Sequence, residues 1–68
     1  MKQLDFAATE ERARGMTVAM LLFSIRDCHE AGEAAWAIEK AGCPVTKTQG
    51  YYHDELSVYA RELERRRG

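Results

Sequence analysis

An uncharged run from Met16 to Ile25 constrains this chain more than any other feature of its sequence. Charged residues bound the run, with Arg14 before it and Arg26 and Asp27 after it. A membrane-spanning helix needs about 20 apolar residues, so this run is too short to cross a bilayer. We therefore expect it to be buried against protein, either within the chain or between chains.

The size and charge of the chain limit the remaining choices. Its 68 residues are enough for a single domain over 1–68, which buries only about 60% of its unfolded surface. Chains this small usually need a staple, a metal or a second subunit. A net charge of −1 lacks the positive balance typical of nucleic-acid binding. Two cysteines without a secretory leader indicate a reducing compartment, and we expect a cytoplasmic protein with no membrane association.

The first part of the chain predicts one long helix. Thr9 followed by Glu10 and Glu11 is typical of a helix start, because a hydroxyl caps free amides and acids favour the positive end of the dipole. The apolar run by itself is compatible with a strand or a helix. The alanine-rich stretch that follows it has strong helix propensity and favours the helix. We predict a flexible leader over residues 1–8 and a first helix over about residues 10–41.

Two positions weaken this helix. Gly15 costs about 1 kcal/mol relative to alanine, and the stretch D-C-H-E-A-G over residues 27–32 is the weakest part of the remaining pattern. A break at either position is the alternative, and it would give three helices in place of two. A break at residues 27–32 would let the two parts fold on each other as a monomeric three-helix domain.

The end of the first helix is marked by Gly42 and Pro44, a glycine that ends a helix and a proline that prevents its resumption. Thr46 and Gln49 then form a T-x-x-Q capping box, in which each side chain satisfies a backbone amide of the other residue. We predict a turn over 42–46 and a second helix over about 47–66. The predicted fold is an all-α helical hairpin.

The hairpin does not complete its own core. A first helix of about 48 Å would extend past the end of a second helix of about 30 Å. A helical wheel of the first helix places its apolar residues on two opposite faces. The second helix covers one face, and we predict that a second copy covers the other, because twofold dimers are the commonest oligomers. The predicted dimer interface comprises Met16, Val18, Leu21, Leu22, Ile25 and Trp36.

Neither a metal site nor an active site is predicted. Cys28, His29, Cys43 and His53 are zinc-ligand types, but they lack the paired spacing of a zinc clip. The acids beside both histidines need a pocket and an orienting third group to act in catalysis, which a chain this small hardly provides. We expect a non-enzymatic protein without cofactors.

A partner surface is predicted on the second helix instead. Tyr51 and Val58 lie seven residues apart, away from the expected core stripe, and Arg61 and Arg65 follow them. Tyrosine and arginine are favoured anchors in protein interfaces. We predict that these four residues bind a protein partner.

Residues 37–66, A-I-E-K-A-G-C-P-V-T-K-T-Q-G-Y-Y-H-D-E-L-S-V-Y-A-R-E-L-E-R-R, resemble segments of small bacteriophage or prophage accessory proteins. The shared features are an alanine-rich helix, an A-G-x-P-V-T turn and a charged amphipathic helix. The resemblance implies a phage-type inhibitor or adaptor that binds a host protein. The alternative is a helix-turn-helix regulator that binds DNA, although Asp54 and Glu55 do not suit a recognition helix.

Overall fold

The computed structural model describes residues 3–67, and that range contains three helices and no strand. The all-α prediction is thereby confirmed. We number the helices α1 (Phe6–Arg14), α2 (Val18–Lys40) and α3 (Gln49–Arg67). None of them combines the length and apolarity needed to cross a membrane, in the part of the chain that is described.

The first helix begins earlier than predicted. Asp5 is the N-cap of α1, and its side chain accepts a hydrogen bond of 3.1 Å from the amide of Ala8. Thr9, the predicted start, lies inside α1, where its buried hydroxyl donates to the carbonyl of Asp5 over 2.8 Å. The predicted leader over 1–8 is therefore wrong for Phe6 to Ala8, which are helical, whereas residues 1 and 2 lie outside the described range.

The continuous helix predicted over residues 10–41 is also wrong, because the chain breaks at Gly15–Thr17. Residues 27–32 stay helical within α2. Thr17 has extended backbone and caps α2, since its hydroxyl accepts from the amide of Met20 over 3.1 Å. The break resolves the length mismatch between the helices. Instead of extending beyond the end of α3, α1 turns back and packs along it.

A loop over residues 41–48 joins α2 to α3 and is longer than the predicted turn. Gly42 has φ +83°, a left-handed conformation that glycine adopts without the steric cost of a side chain. Thr48 replaces Thr46 as the capping residue, because its hydroxyl accepts from the amide of Tyr51 over 3.2 Å. The carboxylate of Glu39 accepts from the amide of Gln49 over 3.1 Å, so a cap across the loop replaces the predicted capping box.

The core forms where α2 packs antiparallel to α3. Leu21, Cys28, Gly32 and Ala35 are the buried residues of α2, and a Cβ built on Gly32 would lie 3.4 Å from that of Tyr52. Small side chains on this face let the two backbones approach closely. Leu21 is fully buried within the chain, so its predicted place in a dimer interface is wrong.

Candidate protein-binding surfaces

Helix α2 carries two exposed apolar stripes, one on each side of its buried face. We call the first the tryptophan stripe; its members are Val18, Leu22, Ile25 and Trp36. We call the second the phenylalanine stripe; its members are Met20, Phe23 and Ile38. Leu22 is 56% exposed and Phe23 72%, although both are large apolar residues. Ile25 is half-buried and packs against the core, whereas the other members of both stripes are exposed.

The position of α3 explains why both stripes are exposed. The sequence predicts that the second helix covers one of the two strongly apolar faces, but α3 packs on the face between them. That face is built from Cys28, Gly32 and Ala35, with Leu21 at one end. A helical wheel does not reveal this face, because small residues contribute little hydrophobicity. Cys28, Gly32 and Ala35 recur at intervals of four and three residues, and this helical spacing of small residues identifies the buried face.

The tryptophan stripe continues onto α3. Val18, Leu22 and Ile25 form one wall of a groove of about 520 Å³, and Ala60 and Leu63 contribute to the other. The apolar surface here spans two helices, and Glu64, Arg66 and Arg67 complete the lining of the groove. Met16, the remaining predicted interface residue, is half-buried and packs against the core.

The phenylalanine stripe is narrower and is interrupted by charge. Asp27 is exposed between Phe23 and Ile38 along the helix. Glu30 is also exposed and pairs with Arg26 over 3.3 Å. A protein that covered this stripe would have to provide a partner for the carboxylate of Asp27.

A separate cavity of about 340 Å³ lies between α1 and α3. Three of the four predicted partner-binding residues line it, namely Val58, Arg61 and Arg65. The prediction that Val58 is a surface contact is wrong, since this residue is only 3% exposed and belongs to the core. Tyr51 lies elsewhere, near the N-terminal end of α1, with the ammonium group of Lys47 5.1 Å from its ring centre.

Glu62 organises one wall of this cavity. Its carboxylate is 7% exposed and accepts from Arg65 over 2.6 Å and from Arg66 over 2.7 Å. These hydrogen bonds lower the pKa of Glu62 from 4.5 to about 2. Arg66 also donates to the carbonyl oxygens of Ala13 and Arg14, each over 3.1 Å. The network therefore joins α3 to the C-terminal end of α1.

A second polar network joins the same helices further along. Arg12 donates to the hydroxyl of Tyr59 over 2.6 Å, and this hydroxyl donates to Glu55 over 2.7 Å. Burial and the bond to Glu55 raise the pKa of Tyr59. Burial also raises the pKa of Cys28 to about 12, which favours the unreactive thiol over the thiolate.

The other side chains that could bind a metal or act in catalysis do not form a site in the described range. Within residues 3–67 no three side chains of histidine, cysteine, aspartate or glutamate are grouped closely enough to hold a metal ion. Cys43 is exposed and Cys28 is buried, and both are free thiols. His29 pairs with Glu33 over 3.1 Å on the open surface of α2.

The connection between α2 and α3 does not resemble a helix-turn-helix. That motif joins two steeply crossed helices by a turn of about three or four residues, whereas here the loop covers residues 41–48 and the helices run antiparallel. Comparisons with protein-family models, curated proteins and solved structures give no match for this chain.

Proposed function

We propose that this chain is a non-enzymatic protein-binding module that self-associates as a homodimer, a phage-type inhibitor or adaptor that acts on a host protein in the cytoplasm. The supporting observation is the exposed apolar surface of α2. Large exposed apolar patches on small proteins mark interaction sites. Here Val18, Leu22 and Trp36 are each about half exposed, and Val18 and Leu22 line a groove that continues onto α3.

The accessible surface and the shape of the molecule support a monomer that leaves part of its apolar surface uncovered. The accessible surface is 4902 Å², whereas a compact monomer of this mass exposes about 4,300 Å². The molecule is elongated, with extents of 42 × 20 × 15 Å. A dimer interface of ordinary size buries about 800 Å² on each partner, so one such interface would remove the excess.

We assign the dimer interface to the tryptophan stripe. From Val18 to Trp36 the stripe is about 27 Å long. In a twofold pair of antiparallel α2 helices, Trp36 of each copy would reach the groove beside Leu22 of the other, so one patch would serve both copies. Its central polar residue is His29, which already pairs with the carboxylate of Glu33 over 3.1 Å. The phenylalanine stripe has Asp27 at its centre. This carboxylate forms no ion pair within residues 3–67, and burying an unpaired carboxylate is more costly.

The cavity between α1 and α3 remains accessible in such a dimer. It lies on the other side of α3 from the groove, because the two are lined by different residues of that helix. Arginine is enriched in protein interfaces, where its planar guanidinium makes directional contacts. We therefore place the contact with the host protein at Arg61 and Arg65.

Two neighbouring residues test the assignment of the dimer interface. Leu22 and Phe23 are both exposed but lie on opposite stripes, so glutamate at either position should leave the fold of one chain intact. We expect the wild type and Phe23→Glu to sediment as dimers at equilibrium, and Leu22→Glu as a monomer. Far-ultraviolet circular dichroism confirms that each variant is folded.

Each outcome of this comparison is informative. A wild-type chain that stays monomeric up to the millimolar range contradicts self-association. A dimer that Phe23→Glu dissociates and Leu22→Glu leaves intact moves the interface to the phenylalanine stripe. A dimer that neither substitution affects excludes both stripes.

A further inference from the structure

The cavity between α1 and α3 has a cationic rim. Ala13 and Val58 lie at its base but are only 0% and 3% exposed, so a ligand would contact mainly the rim. Arg14, Arg61 and Arg65 provide the rim. The volume of about 340 Å³ falls at the lower end of the range for ligand sites, about 300–1,000 Å³. A cavity of this size suits a few side chains of a partner rather than a whole protein face.

The charges around the cavity favour an acidic ligand. Three arginines and two glutamates line it, a net charge of +1, whereas the whole chain carries −1. Glu62 is already paired with Arg65 and Arg66. Glu10 lies 4.0 Å from Arg61 at the exposed rim, and exposed ion pairs are weak enough to be exchanged. Arg14 forms no ion pair with any residue in the range 3–67.

The wall behind the rim is held in place before any ligand arrives. Arg66 donates to two carbonyl oxygens at the C-terminal end of α1 while it pairs with Glu62 on α3. The two helices that form the cavity are thereby joined on one side of it. Groups that are ordered in advance lose less conformational freedom on binding, which favours affinity.

We infer that this cavity binds an acidic peptide segment of the partner protein. An aspartate or glutamate carboxylate of the segment pairs with the guanidinium groups of Arg14 and Arg61, which suit planar two-point recognition of a carboxylate. This inference rests on the proposed function, because it names the chemistry that the module would recognise in its host partner.

A random heptapeptide library displayed on beads tests the inference with the full-length chain as the labelled probe. We expect selected peptides to be enriched in aspartate and glutamate. A selected peptide is then synthesised, and its dissociation constant is measured by fluorescence anisotropy. Replacing its acidic residue by the corresponding amide should weaken binding about tenfold or more.

Two variants of the chain provide the matched comparison. Arg61→Gln should weaken binding of the selected peptide about tenfold, which is the effect of losing one charged hydrogen bond. Arg26→Gln makes the same change of net charge at an exposed site on α2 that is remote from the cavity, and it should leave the dissociation constant within about twofold. Equal effects of the two variants would show only general charge attraction and would overturn the inference.

A library that returns no preference for acidic residues also overturns it. This failure is separate from failure of the proposed function. If the library is negative while Leu22→Glu still dissociates the dimer, the proposed self-association is supported and only the assigned ligand is wrong. If the wild-type chain is a monomer, the proposed self-association is wrong whatever the library returns.

Discussion

At the residue scale, the carboxylate of Glu62 connects α3 to α1 through its arginine partners. It binds two arginines of its own helix, and one of these, Arg66, reaches the end of α1. The sequence shows this glutamate only as one acid in an arginine-rich segment. Its burial could not be predicted, because burial depends on α1 turning back along α3. Where α1 lies is a tertiary property that the pattern of α3 does not contain.

The low pKa of Glu62 predicts how stability changes with pH. Its pKa is about 2 in the folded chain against an ordinary value of 4.5. The carboxylate therefore stabilises the fold fully above about pH 4.5, and this contribution is lost as the pH falls toward 2. We expect Glu62→Gln to lower Tm at pH 7. The difference in Tm from the wild type should shrink between pH 4.5 and 2.

Glu64→Gln is the control for this measurement, since Glu64 lies on the same helix but its side chain is 77% exposed. Its Tm should follow that of the wild type at every pH. A gap between Glu62→Gln and the wild type that stays constant from pH 7 to pH 2 would show that the ion pairs do not contribute as described.

At the scale of the element, the boundary between α1 and α2 depends on Thr17 more than on Gly15. Gly15 has φ −87° and ψ −2°, which any residue can adopt. A Cβ there would lie at an ordinary distance of 3.6 Å from the carbonyl oxygen of Arg12. Thr17, by contrast, has extended backbone and caps α2 with its hydroxyl. The glycine weakens the helix locally, and the cap starts the next one.

Two alanine substitutions separate these roles. Thr17→Ala should lower the free energy of unfolding by about 0.5–2 kcal/mol, the usual cost of losing an N-cap hydroxyl. Gly15→Ala should be neutral or stabilise by about 0.4–1 kcal/mol, because alanine restricts the unfolded chain. Urea denaturation measures both. If Gly15→Ala lowers the free energy of unfolding more than Thr17→Ala does, the break between α1 and α2 depends on the glycine and not on the cap.

The small-residue face of α2 sets how closely α3 can pack. Gly32→Ala places a methyl group at van der Waals distance from Tyr52 and improves helix propensity by up to about 1 kcal/mol. We expect this variant to be as stable as the wild type or more so. Gly32→Leu should cost about 1–3 kcal/mol, because a large side chain there must displace α3. Equal stability of the two variants in urea would mean that the helices are not closely packed at this position.

At the scale of the whole molecule, the sequence predicts the helical class and the mismatch of helix lengths. It does not predict how the mismatch is resolved, because Gly15 and residues 27–32 both weaken the first helix. The Thr17 cap and the packing of α1 against α3 together select the break. The candidate site is predicted in part. Arg61 and Arg65 line the cavity between α1 and α3, whereas Leu21 and Val58 are core residues. A wheel shows which faces are apolar but not which one the chain itself covers.

The burial of Trp36 tests the proposed dimer most directly. Trp36 is the single tryptophan of the chain and is 48% exposed in one copy, so its fluorescence reports on the tryptophan stripe alone. The emission maximum of the wild type and of Phe23→Glu should shift to the red on dilution, as the dimer dissociates and exposes the indole. Leu22→Glu should show the red-shifted maximum at every concentration. An emission maximum that is the same for all three proteins and independent of concentration would contradict a dimer formed through this stripe.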